Sequence, residues 1–173
     1  DGPMVKKAKD IGIKAHVICT ETPYDIRVWG KVKQFMIDHK IDIVHAHGTR
    51  ANSNVFWAAK KLGLPIIYTV HGWSFHRNQK ILVKMLKIKS ESFLTKKANV
   101  TIAVSYSNQK DGIDLFGMSN SQVIYNGIDT EKYNPLKKLP DLRKELGLPK
   151  NKTIVGFLVR MTIQKDPLTL IRA

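Results

Sequence analysis

Short apolar segments alternate with helical segments along most of the chain. Apolar runs such as "IKAHVIC", "IDIVHA", "PIIYTV" and "VTIAVS" are each followed by a longer stretch whose apolar residues recur at helical spacing. Strands that are apolar on both faces and separated by helices are typical of a parallel sheet covered by helices. The pattern therefore predicts an α/β fold built on a Rossmann-like parallel sheet.

The predicted elements divide the chain into two parts. We predict strands over 13–19, 41–46, 65–70, 100–105 and 122–126, and helices over 3–11, 25–39, 50–61, 79–97 and 107–117. A polar, lysine-rich stretch with one short helix, 141–146, follows. The apolar run "TIVGFLV" then predicts a further strand, and "KDPLT" a helix with Asp166 as N-cap and Pro167 in its first turn. A second α/β unit is expected to begin there.

Composition limits the class of protein. The chain has 173 residues, 43% of them hydrophobic, and no apolar run long enough to span a bilayer. It begins without a signal-peptide pattern, so a cytoplasmic location is expected. Its one cysteine, Cys19, cannot form an intramolecular disulfide and is expected to be buried. A net charge of +15 favours anionic partners.

Polar side chains are expected at the edge where the parallel strands end. "VHAHG" closes one strand and "TVHG" the next, which predicts His47 and His71 on neighbouring strand tips. Gly48 and Gly72 follow these histidines and would let the chain turn sharply beside the imidazoles. Ser105 ends the next strand. Ligands of such sheets bind at this edge, so these five residues are candidate cleft residues.

Three histidines of this region also allow a metal site. Imidazole is a common zinc ligand, and His45, His47 and His71 would be the ligands. Alternatively, His45 is a core histidine with a backbone partner. No other histidine or carboxylate follows a strand with comparable regularity. We therefore predict no bound metal, and a metal-dependent hydrolase stays open as an alternative.

Two cations border the loop of the second unit. Arg160 follows the predicted strand and Lys165 precedes the predicted helix, so both charges and the helix N-terminus would converge on an anion such as a diphosphate. The simpler interpretation is that both side chains are solvated surface charges.

The predicted helix 79–97 is strongly basic. Lys80, Lys84 and Lys87 fall on one helical face, and Ile81, Met85 and Ile88 form an adjacent apolar stripe. Such a helix could lie on an anionic membrane surface. The simpler interpretation is a core-packed helix with a solvated basic face. Aromatic residues are not interleaved with the basic ones, so nucleic acid is not a predicted partner.

Two common nucleotide-binding motifs are missing from the sequence. Neither a GxxxxGK[ST] loop nor a GxGxxG fingerprint is present, which argues against a nucleoside triphosphatase and an ordinary dehydrogenase.

Five segments carry a resemblance to a known family. They are "GPMVKKAKDIGIKAHVI", "DIVHAHGTRANSNVFWAAKKLGLPIIYTVHG", "ANVTIAVSYSNQKDGI", "VIYNGIDTEKYNP" and "GFLVRMTIQKDPLTLIRA". "TVHG", "VIYNGID" and the Arg-x4-Lys loop in this order are a specific combination. Together these segments resemble glycosyltransferase family 4, the retaining GT-B enzymes.

The resemblance implies two Rossmann-like domains that face each other across a cleft. Residues 1–129 would belong to the acceptor-side domain, 130–150 to a linker with a short helix, and 151–173 to the start of the nucleotide-sugar domain. The implied reaction is retaining transfer of a hexosyl-type sugar from a nucleotide sugar to a saccharide or lipid-linked acceptor, in polysaccharide or glycolipid synthesis. No metal or other cofactor is implied, and a peripheral place on the cytoplasmic membrane face would suit the acceptor.

Family roles transfer to named positions. His71 resembles the family's catalytic histidine, which contacts the transferred sugar. Arg160 and Lys165 resemble the pair that grips the donor diphosphate. Asn126 and Gly127, within "YNGID", resemble the turn where the chain crosses between the domains.

The sequence departs from the family in two respects. Val159 stands where a glycine usually precedes the arginine. The family's glycine-rich loop should precede Asp1, and its glutamate pair should follow Ala173. We therefore expect a fragment lacking both ends, inactive alone. A basic α/β module that binds an anionic polymer or membrane is the non-enzymatic alternative.

Overall fold

A computed structural model describes residues 2–76, 79–137, 140–162 and 165–173. It divides into two compact units, Asp1–Asn126 and Gly127–Ala173. The first unit contains four strands, β1 (Val44–His47), β2 (Ile66–Val70), β3 (Val100–Ala103) and β4 (Ser121–Val123). Its helices are α1 (Pro3–Asp10), α2 (Ile26–Asp38), α3 (Thr49–Lys61), α4 (Ile81–Lys97) and α5 (Tyr106–Phe116).

The four strands form one parallel sheet in the order β1-β2-β3-β4. Helices α3, α4 and α5 make the three crossovers, and each crossover steps in the same direction. Since parallel crossovers are right-handed, these helices cover one face of the sheet. The prediction of an α/β fold built on a Rossmann-like parallel sheet is confirmed.

The two faces of the sheet differ sharply in burial. Ala46, Tyr68 and Thr101 are aligned by the strand register and are buried on the helix-covered face. The core that they join is completed by apolar residues of α2, α3 and α4, namely Val32, Met36, Phe56, Ala58, Ala59 and Leu94. The opposite face carries His45 and His47, both exposed.

Local signals fix the helix ends. The Asp25 side chain accepts a hydrogen bond from the Arg27 N–H and so caps α2. The Ser105 hydroxyl caps α5 in the same way, with Asn108 as donor, and Gly117 ends α5 in the left-handed conformation. These caps explain why the predicted helix bounds differ from the observed ones by only a few residues.

One predicted strand of the first unit is absent. Residues 13–19, "IKAHVIC", are not part of the sheet, and Cys19 within them is exposed rather than buried. A strand needs a neighbour with which to exchange hydrogen bonds, and none of the four described strands pairs with this segment. An apolar pattern is a local property of the sequence, whereas strand pairing depends on a partner elsewhere in the chain.

The second unit contains two short helices, α6 (Leu142–Glu145) and α7 (Pro167–Arg172). Asp166 caps α7 by accepting from the Thr169 N–H, and Pro167 occupies its first turn, as predicted. The prediction of a strand at 153–159 is wrong. The described residues of this unit contain no strand, so this segment has no partner with which to form a sheet. Among the described helices of the whole chain, none is long and apolar enough to cross a membrane.

Candidate functional site at the strand tips

His47 and His71 meet at the carboxyl ends of β1 and β2. The Nδ1 atom of His47 lies 3.0 Å from the Nε2 atom of His71, and the two rings are stacked with centroids 5.3 Å apart. One imidazole must donate and the other accept, so the bond needs at least one neutral ring. The contact engages Nε2 of His71 and leaves its Nδ1 for another partner.

His45 lies behind this pair on the same face. Its Nε2 is 2.8 Å from the hydroxyl of Thr69, and its ring centroid is 4.3 Å from that of His47. His45 is exposed and has a side-chain partner, so the expectation of a core histidine with a backbone partner is wrong. In a strand, residues i and i+2 share a face, which explains why His45 and His47 stack.

Burial lowers the pKa of His47, and the neighbouring rings of His45 and His71 lower it further. A positive charge on His47 is unfavourable beside a positive charge on the ring of His45 or His71 at this distance. The neutral form of His47 is therefore favoured, which suits a ring that shares a hydrogen bond with another imidazole.

The glycines and the serine of the strand tips have different structural roles. Gly48 has a φ of +79°, a conformation that side chains disfavour, and it directly precedes α3. Gly72 does not have a positive φ, and a Cβ there would contact nothing within 4 Å, so its backbone requires no glycine. Ser105 is engaged as the cap of α5.

A buried carboxyl group behind the pair was missed by sequence reasoning. Glu91, on α4, is fully buried. Its carboxyl oxygens accept hydrogen bonds from the hydroxyls of Thr49, at 2.7 Å, and Tyr68, at 2.9 Å. The Ser74 N–H also donates to it, at 3.3 Å. Burial and the charge of Glu91 raise the pKa of Tyr68. Nothing in the lysine-rich sequence around Glu91 distinguishes it from a solvated residue.

The three predicted histidine ligands do not assemble into a metal site. Within the part of the chain that the structure describes, no group of three or more His, Cys, Asp or Glu side chains is arranged to hold a metal ion. The nitrogen atoms of His47 and His71 face each other instead of a common point.

The other predicted site residues lie at the division between the two units or in the second unit. The division between the two units falls between Asn126 and Gly127. Arg160 and Lys165 belong to the second unit and are both exposed. The Lys165 N–H donates to the Thr162 carbonyl.

An open cavity of about 880 Å³ lies beside the outer edge of β1. His45, His47 and Gly48 line one part of it, and the remaining lining is largely apolar. Among the described residues, β1 has no strand partner on this edge. An unpaired apolar strand edge is where a further strand would pair, so we assign no substrate to this cavity.

The first half of α4 exposes apolar side chains. Large parts of Ile81, Leu82, Met85 and Leu86 are accessible, and we call these four residues the α4 patch. Lys80 and Lys89 are exposed beside it, and Lys84 and Lys87 are half-buried. No acidic residue occurs between positions 80 and 90. The expectation of a core-packed helix is wrong for this first half of α4. The buried residues of the helix, Glu91, Leu94 and Thr95, all lie in its second half.

Comparison with known proteins identifies a family and a fold. The sequence profile of the family described as Glycosyltransferase Family 4 matches residues 6–132. An Escherichia coli protein, UDP-Gal:alpha-D-GlcNAc-diphosphoundecaprenol alpha-1,3-galactosyltransferase, is 31% identical over 133 residues, which are 75% of this chain and 34% of that protein. The D-inositol 3-phosphate glycosyltransferase of Stackebrandtia nassauensis is 24% identical over 76% of this chain and 31% of its own length.

A solved structure shares the fold. The crystal structure of Anabaena HepE in complex with UDP-glucose superimposes with a TM-score of 0.67 at 23% identity, over 85% of this chain and 40% of that one. The chain thus spans about a third of the length of the curated relatives that it matches. These comparisons give no support to a metal-dependent hydrolase.

Proposed function

We propose that this chain, which belongs to glycosyltransferase family 4, is part of an enzyme that moves a sugar from a nucleotide-sugar donor to a saccharide or lipid-linked acceptor. One observation carries the proposal: the hydrogen-bonded His47 and His71, which lie at two adjacent strand tips inside the segment that matches the family. Ligands of open α/β sheets bind at this edge.

The names of similar proteins support the choice of substrates. The Escherichia coli relative is named for a UDP-sugar donor and a diphosphoundecaprenol-linked acceptor. Anabaena HepE was crystallised with UDP-glucose. For this protein we propose a nucleotide-hexose donor, with polysaccharide or glycolipid synthesis as the process that it serves.

The chemistry that we assign to the residues follows from the charge that develops. When the glycosidic bond to phosphate breaks, negative charge builds on the leaving diphosphate, and fixed cations lower the energy of that state. We assign this role to Arg160 and Lys165, which the family resemblance supports. His71 would contact the transferred sugar, and its free Nδ1 atom is available for that contact. The proposed transfer retains anomeric configuration and needs no metal.

The α4 patch supports a place on an anionic membrane surface, on the cytoplasmic side. Exposed apolar side chains next to lysines, without an acidic neighbour, match the interfacial region of a bilayer with negatively charged lipids. Each lysine near such a surface contributes about 1 kcal/mol. A lipid-linked acceptor would be reached from the same surface.

Transfer activity of the whole protein tests the proposed function. A panel of UDP-, GDP- and ADP-sugars is incubated with lipid-diphosphate saccharide acceptors, with and without EDTA. We expect turnover with one nucleotide class, unchanged by EDTA, and loss of turnover in His71→Ala and Arg160→Ala. Consumption of no donor, or activity that disappears with EDTA, would contradict the proposal.

The anomeric configuration of the product tests the finer assignment. NMR coupling constants of the new linkage report whether configuration is retained. Inversion would leave the transferase proposal standing and overturn the retaining one.

A further inference from the structure

Glu91 is buried, and no cation among the described residues forms an ion pair with it. It is fully inaccessible, and the ion pairs of the described residues involve Glu21, Asp25 and Asp114 instead. A buried carboxyl group is unfavourable unless hydrogen bonds satisfy its oxygens. The burial of this carboxyl group in the middle of α4 must therefore be offset by its hydrogen bonds.

The hydrogen bonds of Glu91 reach the two segments that follow β1 and β2, which we call the strand-tip loops: the turn through Gly48 to Thr49, where α3 begins, and the loop that contains Ser74. Its Oε1 atom accepts from the Thr49 hydroxyl and from the Ser74 N–H, at 2.7 and 3.3 Å. Thr49 follows His47 by two positions, and Ser74 follows His71 by three. A single oxygen on α4 therefore holds both loops whose histidines meet at 3.0 Å.

The remaining contacts make this arrangement rigid. The Oε2 atom of Glu91 accepts from the hydroxyl of Tyr68, which is fully buried in β2. Gln79 donates from its Nε2 atom to the Ser74 carbonyl, at 3.1 Å, so Ser74 is held on both sides. Removing the carboxyl group would leave partly buried donors of both loops without this acceptor, and unpaired donors favour a rearranged backbone.

We propose that Glu91 is a positioning residue for the His47–His71 pair: its carboxyl group fixes the two strand-tip loops at the separation that lets the imidazoles bond. This inference rests on the proposed function only for its catalytic consequence. Its structural content concerns the two imidazoles and is independent of any reaction.

Hydrogen bonding, not charge, is the proposed basis of the role. Glutamine at position 91 keeps an oxygen for Thr49 and Ser74, and its amide N–H can donate to the Tyr68 hydroxyl. Leucine keeps the approximate volume and removes every acceptor. Glu91→Gln is therefore the rescue variant, and Glu91→Leu the disruptive one.

The experiment reads the histidines directly in the whole protein. A long-range ¹H–¹⁵N spectrum of the imidazoles, recorded at about pH 8, reports which ring nitrogen bears the proton and whether it is hydrogen-bonded. We expect the signals of His47 and His71 to shift in Glu91→Leu and to keep their wild-type positions in Glu91→Gln. The kcat of transfer should fall about tenfold in Glu91→Leu, with the donor KM changing by less than about twofold.

A matched pair of substitutions covers the case in which Glu91→Leu does not fold. Thr49→Val removes the hydroxyl that links one loop to Glu91. Thr95→Val makes the same chemical change one turn along α4, where the Thr95 hydroxyl donates only to main-chain carbonyls of Glu91 and Ser92. We expect Thr49→Val to shift the imidazole signals and Thr95→Val to leave them unchanged.

The outcomes separate this inference from the proposed function. Unchanged imidazole signals in Thr49→Val, or equal shifts in both threonine variants, would overturn the positioning role. A wild-type protein without transfer activity would overturn the proposed function, while the imidazole spectra would still decide the role of Glu91.

Discussion

The Nδ1 atom of His47 and the Nε2 atom of His71 are 3.0 Å apart, although 24 residues and the whole of α3 separate them in the chain. The parallel pairing of β1 with β2 creates this contact, because it brings the two strand ends to the same edge. The bond occupies one nitrogen of His71 and thereby orients its ring toward any ligand at that edge.

His71→Ala and His47→Gln should therefore affect transfer to different degrees. In the whole protein we expect His71→Ala to lower kcat by about 100-fold, because a group that contacts the sugar is lost. His47→Gln should lower it by about tenfold or less, since the amide can still bond to the imidazole of His71. Initial rates at saturating donor measure both effects.

A control histidine separates this result from a general loss of structure. His76 is exposed and forms no hydrogen bond with the pair through its ring, so His76→Gln should retain wild-type kcat. Equal losses in all three variants would argue that the pair has no special role.

Stability should depend on pH through His47. Its pKa is lower in the folded protein than the ordinary value of 6.5, because burial and the rings of His45 and His71 disfavour its charged form. The unfolded chain then binds more protons just below that value, so this contribution is present above about pH 6.5 and is lost as the pH falls through it. Urea unfolding at several values between about pH 5 and pH 8 measures the effect.

The substitution His47→Gln should reduce this pH dependence, and His76→Gln should leave it unchanged. Identical pH profiles of the wild type and His47→Gln would show that the ring of His47 does not titrate differently in the two states.

Gly48 and Gly72 follow the two histidines, yet they should respond differently to alanine. Gly48 has a φ of +79°, so Gly48→Ala should lower the free energy of unfolding by about 1 kcal/mol. Gly72 has neither a positive φ nor a close neighbour, so Gly72→Ala should change it by less than about 0.5 kcal/mol. Denaturant midpoints of the two variants, compared at equal slope, provide the measurement. A larger effect at Gly72 would contradict this assignment.

Sequence patterns predicted the positions of the two histidines better than the residues that hold them in place. The spacing of "VHAHG" and "TVHG" was enough to place two histidines on adjacent strand tips, because parallel topology follows from the alternation of elements. Glu91 was not predicted, because its burial depends on which face of α4 packs against the sheet, and the periodicity of that helix is weak. The missing strand at 13–19 depends on a partner strand, which local sequence does not specify.

The same limit applies to α4. Its sequence allowed both a core-packed and a surface-lying helix, and Ile81 and Leu82 in its first half are not part of the core. The local sequence identifies the lysines of this helix, but it does not predict whether the apolar side chains face the core or the solvent.

Arg160 and Lys165 should govern donor affinity if they hold the diphosphate. We expect Arg160→Ala and Lys165→Ala each to weaken binding of the nucleoside diphosphate by about tenfold, since each removes a charged hydrogen-bond donor. Calorimetric titration of the whole protein measures this directly. Arg172→Ala, which removes a charge near the end of α7, is the matched control and should bind normally. Equal weakening by all three substitutions would indicate a general effect of charge.

Membrane binding should depend on both parts of the α4 surface. In flotation assays with phosphatidylglycerol-rich vesicles, we expect Ile81→Ser with Leu82→Ser to reduce bound protein, because the α4 patch loses apolar area that would enter the interface. Lys80→Glu with Lys89→Glu should reduce it further and make the remainder less salt-sensitive. Lys6→Glu with Lys9→Glu makes the same change of charge on α1, whose lysines are also exposed but lie outside α4. If the α1 and α4 charge variants lose binding equally, net charge alone attracts the protein, and the α4 patch is not a specific membrane surface.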